Sequence, residues 1–166
     1  GEDTLSLHDA LPISIAYTRS IIDKSHFLPY STIYQKNIFD CGIASLETIA
    51  KEKNITISQN DKENATQFLK NNNKFISYLK GGISLANLVK IASSWNLNPR
   101  PVKANYQAIV EQSLPILAHL KSLHYVTIVF VNQKYVIIAD PTFGIIKYFR
   151  WEFNYIWSGY LVLFNI

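Results

Sequence analysis

Four residues of this chain have the types and spacing for acyl transfer through a thiol: Gln35, Cys41, His124 and Asp140. Cys41 is the only cysteine and stands in Asp40-Cys41-Gly42, just ahead of Ile43, Leu46, Ile49 and Ala50 at helical spacing. That pattern predicts a helix beginning at the thiol, where the macrodipole and free N–H groups favour thiolate over thiol. Asp40 is placed to cap the helix, and Gly42 to let the backbone approach a bound substrate. Gln35, six residues before Cys41 in a polar loop, can turn its amide toward the thiol. Together with the Cys41 N–H it would donate to a developing oxyanion. A lone cysteine is otherwise a small buried hydrophobe. What sets this one apart lies about eighty residues downstream.

There His124 opens one long apolar run and Asp140 closes the next, sixteen residues on. An antiparallel pairing around a three-residue Val131-Asn132-Gln133 loop sets the two directly opposite, with Cβ atoms about 5 Å apart. A two-residue turn sends them to opposite faces, so the pairing requires an odd loop or a bulge. In that arrangement Cys41 attacks a peptide carbonyl as thiolate, and His124 takes its proton and returns one to the leaving amine. Asp140 holds the imidazole tautomer and offsets the imidazolium charge. His119, five residues before His124, is a rival base; its plain reading is a satisfied structural histidine. Cys41, His119, His124 and Asp140 have no standard structural-zinc spacing. Phe39, Tyr125, Trp151 and Trp157 could line a peptide groove, although such aromatics usually pack in cores.

The elements that must carry these residues change period halfway along the chain. After the helix at Cys41, a second is predicted over Lys62 to Leu69 and ends at Asn71-Asn72-Asn73. Gly81-Gly82 reads as a turn, Ser84 as the cap of a third helix bearing Leu85, Leu88, Val89, Ile91 and Ala92. Pro99 and Pro101 break the chain after it. Strands then follow at Leu114 to Leu120, Tyr125 to Val131, Tyr135 to Ala139, Ile145 to Phe149 and Tyr160 to Phe164, with a hairpin at Asn132-Gln133-Lys134. Helices first and antiparallel strands afterwards give an α+β fold, an N-terminal helical layer packed on a C-terminal sheet.

At 166 residues there is one core to build, and 48% hydrophobic residues suffice to build it. The net charge of +4 is spread without a basic stripe, which gives nucleic-acid binding no support. A single cysteine forms no internal disulfide, and a reducing compartment suits a working thiol. No apolar run reaches the roughly 20 residues that span a bilayer. Residues 1–14, GEDTLSLHDALPIS, lack a targeting pattern, and LSLHDALPIS resembles translated sequencing-adapter DNA. They are read as a non-native segment, 15–33 as a lead-in and 34–166 as the domain.

Several motifs recur together in order: Gln35-x5-Cys41 within Asp-Cys-Gly-x-Ala-x-Leu, Leu114-Pro115-x-x-Ala118-His119-Leu120, His124-Tyr125-Val126, Ile138-Ala139-Asp140-Pro141, and Phe153 with Trp157-x-Gly159. From Tyr34 to Phe164 the chain thus resembles the bacteriocin-processing, double-glycine peptidases, the N-terminal domains of peptidase-containing ABC transporters. The resemblance implies a papain-like cysteine peptidase with Gln35 in the oxyanion hole, Cys41 as nucleophile, His124 as base and Asp140 as orienter. It implies cleavage of leader peptides after Gly-Gly on the cytoplasmic side of a bacterial inner membrane, with an ABC transporter as partner. The peptidase itself would need no cofactor; ATP would belong to a transporter portion outside this chain. Two departures stand out. Many members carry a second cysteine where this chain has Ser45, which is expected to pack. No membrane or ATPase portion follows Ile166, so a stand-alone member or a truncated chain is expected. The alternatives are a non-catalytic domain that docks leaders for an exporter, and a papain-like acyltransferase or amidase.

Overall fold

The computed structural model describes residues 30–36, 40–72 and 83–165. The 1–14 segment, Phe39 and Gly81-Gly82 lie outside the described residues.

Helix α1 (Cys41–Glu52) starts at the thiol. Nine of its twelve residues are buried, among them Cys41, Ser45, Leu46, Thr48 and Ile49, so it runs through the interior and not along its surface. Asp40 occupies the N-cap position, but its side chain makes no cap hydrogen bond. Its φ of −90° and ψ of 5° depart from the extended backbone that lets a cap side chain reach back to the first turn. Helix α2 (Gln59–Asn72) begins three residues earlier than the apolar pattern indicates, because the Ser58 hydroxyl accepts from the Asp61 N–H at 3.1 Å. Helix α3 (Leu85–Ser94) is capped by Ser84, whose side chain accepts from the Asn87 N–H at 3.2 Å.

Gly42 has a packing role. A Cβ there would sit 2.6 and 2.8 Å from the two Leu88 methyl carbons, and Leu88 is fully buried on α3. Gly42→Ala is therefore expected to destabilise the fold by about 1–3 kcal/mol, because overpacking outweighs the better helix propensity of Ala. The midpoint of urea unfolding measures this; a variant as stable as the parent would show that Leu88 can step aside.

The sheet has six antiparallel strands in the order β1-β6-β2-β3-β4-β5. Strand β1 (Pro99–Lys103) corrects the expectation that Pro99 and Pro101 only break the chain: it pairs with β6 (Trp157–Phe164) at the sheet edge. An edge tolerates proline because one row of backbone groups needs no partner. The central strands are β2 (Ile116–Leu120), β3 (His124–Val131) and β4 (Tyr135–Asp140), and β5 (Gly144–Phe149) closes the far edge.

Both faces of this sheet are covered. Leu117, Tyr125, Val162 and Phe164 pack with α1, α2 and α3 on one face. On the other, Ile116, Ala118, Val126, Ile128, Ile138 and Ile146 pack with two short helices, α4 (Tyr106–Val110) and α5 (Arg150–Ile156). Double burial explains why the β3 sequence is almost continuously apolar instead of alternating. The sequence pattern misses both short helices, since five and seven residues are too few for a periodic signal. The only local mark of α4 is Asn105, whose side chain accepts from the Ala108 N–H at 2.9 Å.

Candidate active site

The thiol and the imidazole meet because α1 is stitched to β3. The Ser45 hydroxyl donates to the Tyr125 carbonyl at 3.1 Å, and the Thr127 hydroxyl donates to the Ser45 carbonyl at 3.0 Å. All three residues are buried, so these bonds form away from competing water. Ser45 thus does more than pack: one helical turn after Cys41, it fixes the height of the helix against the strand that begins with His124. The Cys41 side chain is buried and close enough to His124 to act on its ring.

Strand pairing brings His124 to Asp140, though not by the direct opposition expected. Near the turn Val131 pairs with Val136 and Phe130 with Ile137, a register that alone puts His124 and Asp140 on opposite faces. A bulge between Ile128 and Phe130 restores the parity, and beyond it Ile128 pairs with Ile138 and Thr127 with Ala139. Continued by one step, that ladder faces Asp140 with Val126, so His124 is its diagonal neighbour on the same face. Diagonal pairs lie about 7–8 Å apart at the backbone, a gap that two long side chains can close. They do: His124 Nε2 and Asp140 Oδ1 are 2.9 Å apart.

Asp140 is held from behind. Its Oδ1 also accepts the Thr142 N–H at 2.7 Å and the Phe143 N–H at 3.2 Å. With Nε2 engaged by the carboxylate, Nδ1 is the ring nitrogen left for the thiol. Burial alone would lower the His124 pKa. The hydrogen bonds to Asp140 and Cys41, with the Coulombic pull of both, outweigh that and push it up to about 10. A histidine so placed stays protonated at neutral pH.

Gln35 belongs to the same cluster. Its N–H donates to the Pro141 carbonyl at 2.9 Å, and its side-chain Oε1 accepts the Thr142 hydroxyl at 2.9 Å. The four residues singled out from the sequence are thereby linked through contacts from Cys41 to His124, Asp140, Thr142 and Gln35. Thr142 escaped the sequence reading; the only signal for it is a hydroxyl two residues after the acid, where turns of this kind bond back to the carboxylate. A cleft of about 630 Å³ opens beside Gln35 and Asp40 and runs between α1 and α2.

His119 points elsewhere. Its Nδ1 lies 2.9 Å from the Ser158 hydroxyl, which in turn donates to the His119 carbonyl at 2.8 Å. Because that hydroxyl proton is spent on the carbonyl, Nδ1 is the donor to it. Burial, then the charge of His124, lowers the His119 pKa and keeps it neutral. His119→Asn preserves a donor to Ser158 and is expected to retain peptidase activity within about fivefold, since surface-like polar swaps away from the reacting atoms cost little. Loss of turnover in that variant would transfer the base to His119.

Among the described residues no group of three or more His, Cys, Asp or Glu side chains is arranged to hold a metal ion, and no helix is long and apolar enough to cross a membrane. Of the aromatics considered for a groove, Tyr125 and Trp157 are buried in the two cores. The Tyr125 hydroxyl is spent on the Ile83 carbonyl at 2.8 Å. Trp151 is 70% exposed and flanks Lys134 of the β3–β4 turn, the end of the hairpin away from His124.

The peptidase C39 family model matches residues 29–166. The fold is similar to a double glycine motif protease from an AMS/PCAT transporter, solved in complex with its leader peptide. That match has 22% identity and a TM-score of 0.66, over 80% of this chain and 89% of that one. The peptidase domain of Streptococcus ComA, a bi-functional ABC transporter involved in a quorum sensing pathway, matches with 22% identity and a TM-score of 0.66. It covers 81% of this chain and 96% of that one. The N-terminal peptidase C39 like domain of the toxin secretion ATP-binding protein from Vibrio parahaemolyticus matches at 15% identity and a TM-score of 0.57, over 76% and 97% of the two chains. No curated protein sequence matches the chain.

Proposed function

The chain belongs to the peptidase C39 family, and from that premise we propose that it is a cysteine endopeptidase that cuts leader peptides after a Gly-Gly pair. The observation that carries this reading is the contact between a helix-N-terminal thiol and an imidazole held 2.9 Å from a buried carboxylate. The sulfur of Cys41, its proton passed to His124, attacks the carbonyl. As the tetrahedral intermediate forms, the Cys41 N–H and the Gln35 side-chain amide receive its oxyanion. His124 then gives its proton to the departing amine, leaving an acyl-enzyme that water cleaves. Asp140, anchored by two backbone N–H groups, keeps the ring oriented through both steps. None of these steps calls on a metal or cofactor.

Cys41 is buried, and a narrow approach to its sulfur would favour glycine on the acyl side of the cut, because a side chain there would clash. The likeness to transporter-borne peptidase domains supports exported peptides as substrates, an ABC transporter as partner and a working place on the cytoplasmic side of the membrane. Incubating the protein with a peptide that spans a Gly-Gly leader junction tests the reading by mass spectrometry. Cleavage after the second glycine supports it. Binding without cleavage would make the domain a docking module, and transfer of the acyl group to an added amine would make it a transferase.

A further inference from the structure

We propose that Thr142 is a positioning residue for the oxyanion, its hydroxyl holding the Gln35 amide by its carbonyl end so that the other end can face the reacting carbonyl. This rests on the assignment of Gln35 to the oxyanion hole. A glutamine amide has two ends of opposite polarity joined to the chain by a broad, nearly two-fold torsion. Only the NH₂ end stabilises an oxyanion; the carbonyl end, turned inward, would repel it. Something must therefore choose between them. The Thr142 hydroxyl donates to Gln35 Oε1 at 2.9 Å, which ties the carbonyl end to the turn and leaves the NH₂ end directed away from it.

The chooser is itself held. The Thr142 N–H is fixed on Asp140 Oδ1 at 2.7 Å, and the Gln35 N–H on the Pro141 carbonyl at 2.9 Å. Residues 140–142 thus carry the acid that orients the base and the hydroxyl that orients the oxyanion donor on one turn. Both halves of the machinery are registered to a single piece of backbone. Thr142 is exposed, so its side chain contributes little to the fold. That separates a positioning role from a structural one.

Thr142→Val removes the hydroxyl while keeping the shape and the backbone N–H on Asp140. Four variants of the full chain, Thr142→Val, Thr142→Ser, Gln35→Ala and the Gln35→Ala/Thr142→Val pair, are compared on a Gly-Gly leader peptide. The rate of Cys41 alkylation by iodoacetamide is measured alongside, because that reaction forms no oxyanion. Loss of a whole oxyanion donor costs roughly 10²–10³ in kcat, and loss of its guide is expected to cost about tenfold. Thr142→Val should show that fall in kcat with KM and alkylation unchanged. Thr142→Ser should restore turnover, and Thr142→Val should add nothing once Gln35 is Ala. Normal turnover in Thr142→Val, a parallel fall in alkylation, or additive losses in the pair would overturn the proposal. Full activity in Gln35→Ala would instead overturn the oxyanion assignment beneath it.

Discussion

Cys41→Ala is expected to lower kcat/KM for cleavage of a Gly-Gly leader peptide by about 10⁴-fold or more, the scale on which removing a nucleophile acts in comparable triads. No second cysteine exists to take its place. Water in the same position would lack both the polarisable sulfur and the covalent intermediate that divides the reaction into two easier steps. Cys41→Ser should be almost as inactive, since a hydroxyl holds its proton far more tightly than a thiol and forms no ion pair with His124. The fold should survive both changes. Cys41 is 4% exposed and stands at the first residue of α1, whose hold on β3 comes from Ser45 and Thr127. Unchanged far-ultraviolet circular dichroism with no product by mass spectrometry is the expected pair of results. Persistent cleavage by a purified Cys41→Ala protein would remove the thiol from the mechanism.

His124→Ala is expected to cost about 10³-fold or more in kcat/KM, because it takes away the thiol's counter-ion and the acid that protonates the leaving amine. The wild-type pH profile carries a sharper signature. Folding raises the His124 pKa from about 6.5 to about 10, against the effect of burial and through the bonds and charges of Asp140 and Cys41. A raised cationic pKa contributes stability that is complete below about pH 6.5 and is lost as pH rises through about 10. Leaving-group protonation by the folded enzyme is lost only as pH rises through about 10. The alkaline limb of kcat/KM should therefore lie near pH 10, and His124→Ala should erase it. Asp140→Asn should bring that limb down toward the ordinary histidine range while losing less activity than Asp140→Ala. The reason is that all three partners of Oδ1 are donors, and an asparagine oxygen can still accept them. An alkaline limb at pH 6–7 in the wild type would mean that the imidazolium is not the working acid.

How much of this was legible along the chain depends on the range over which each cause acts. The start of α1 at Cys41 and the cap of α3 by Ser84 are local matters of periodicity and a hydroxyl in the right place, and both could be read directly. The same holds for the change from helices to strands and for the hairpin around Asn132, whose side chain accepts the Lys134 and Tyr135 N–H groups. The cap expected of Asp40 does not form, and the packing demand at Gly42 went unread, for opposite reasons. A cap depends on two dihedral angles that sequence does not disclose, and the demand for glycine came from Leu88, forty-six residues away.

The amino-acid sequence by itself determined the long helices, the central strands, the family and which residues could carry reactive groups, because these follow from residue type, short-range spacing and motif order. Tertiary structure alone decided how those groups meet. A single bulge in β3 returned Asp140 to the face of His124, two hydroxyls set the height of α1 on the sheet, and one exposed threonine joined Gln35 to the acid's turn. Each depends on registering segments far apart in the chain, where a shift of one residue reverses a side chain's face; only the packed core holds that register.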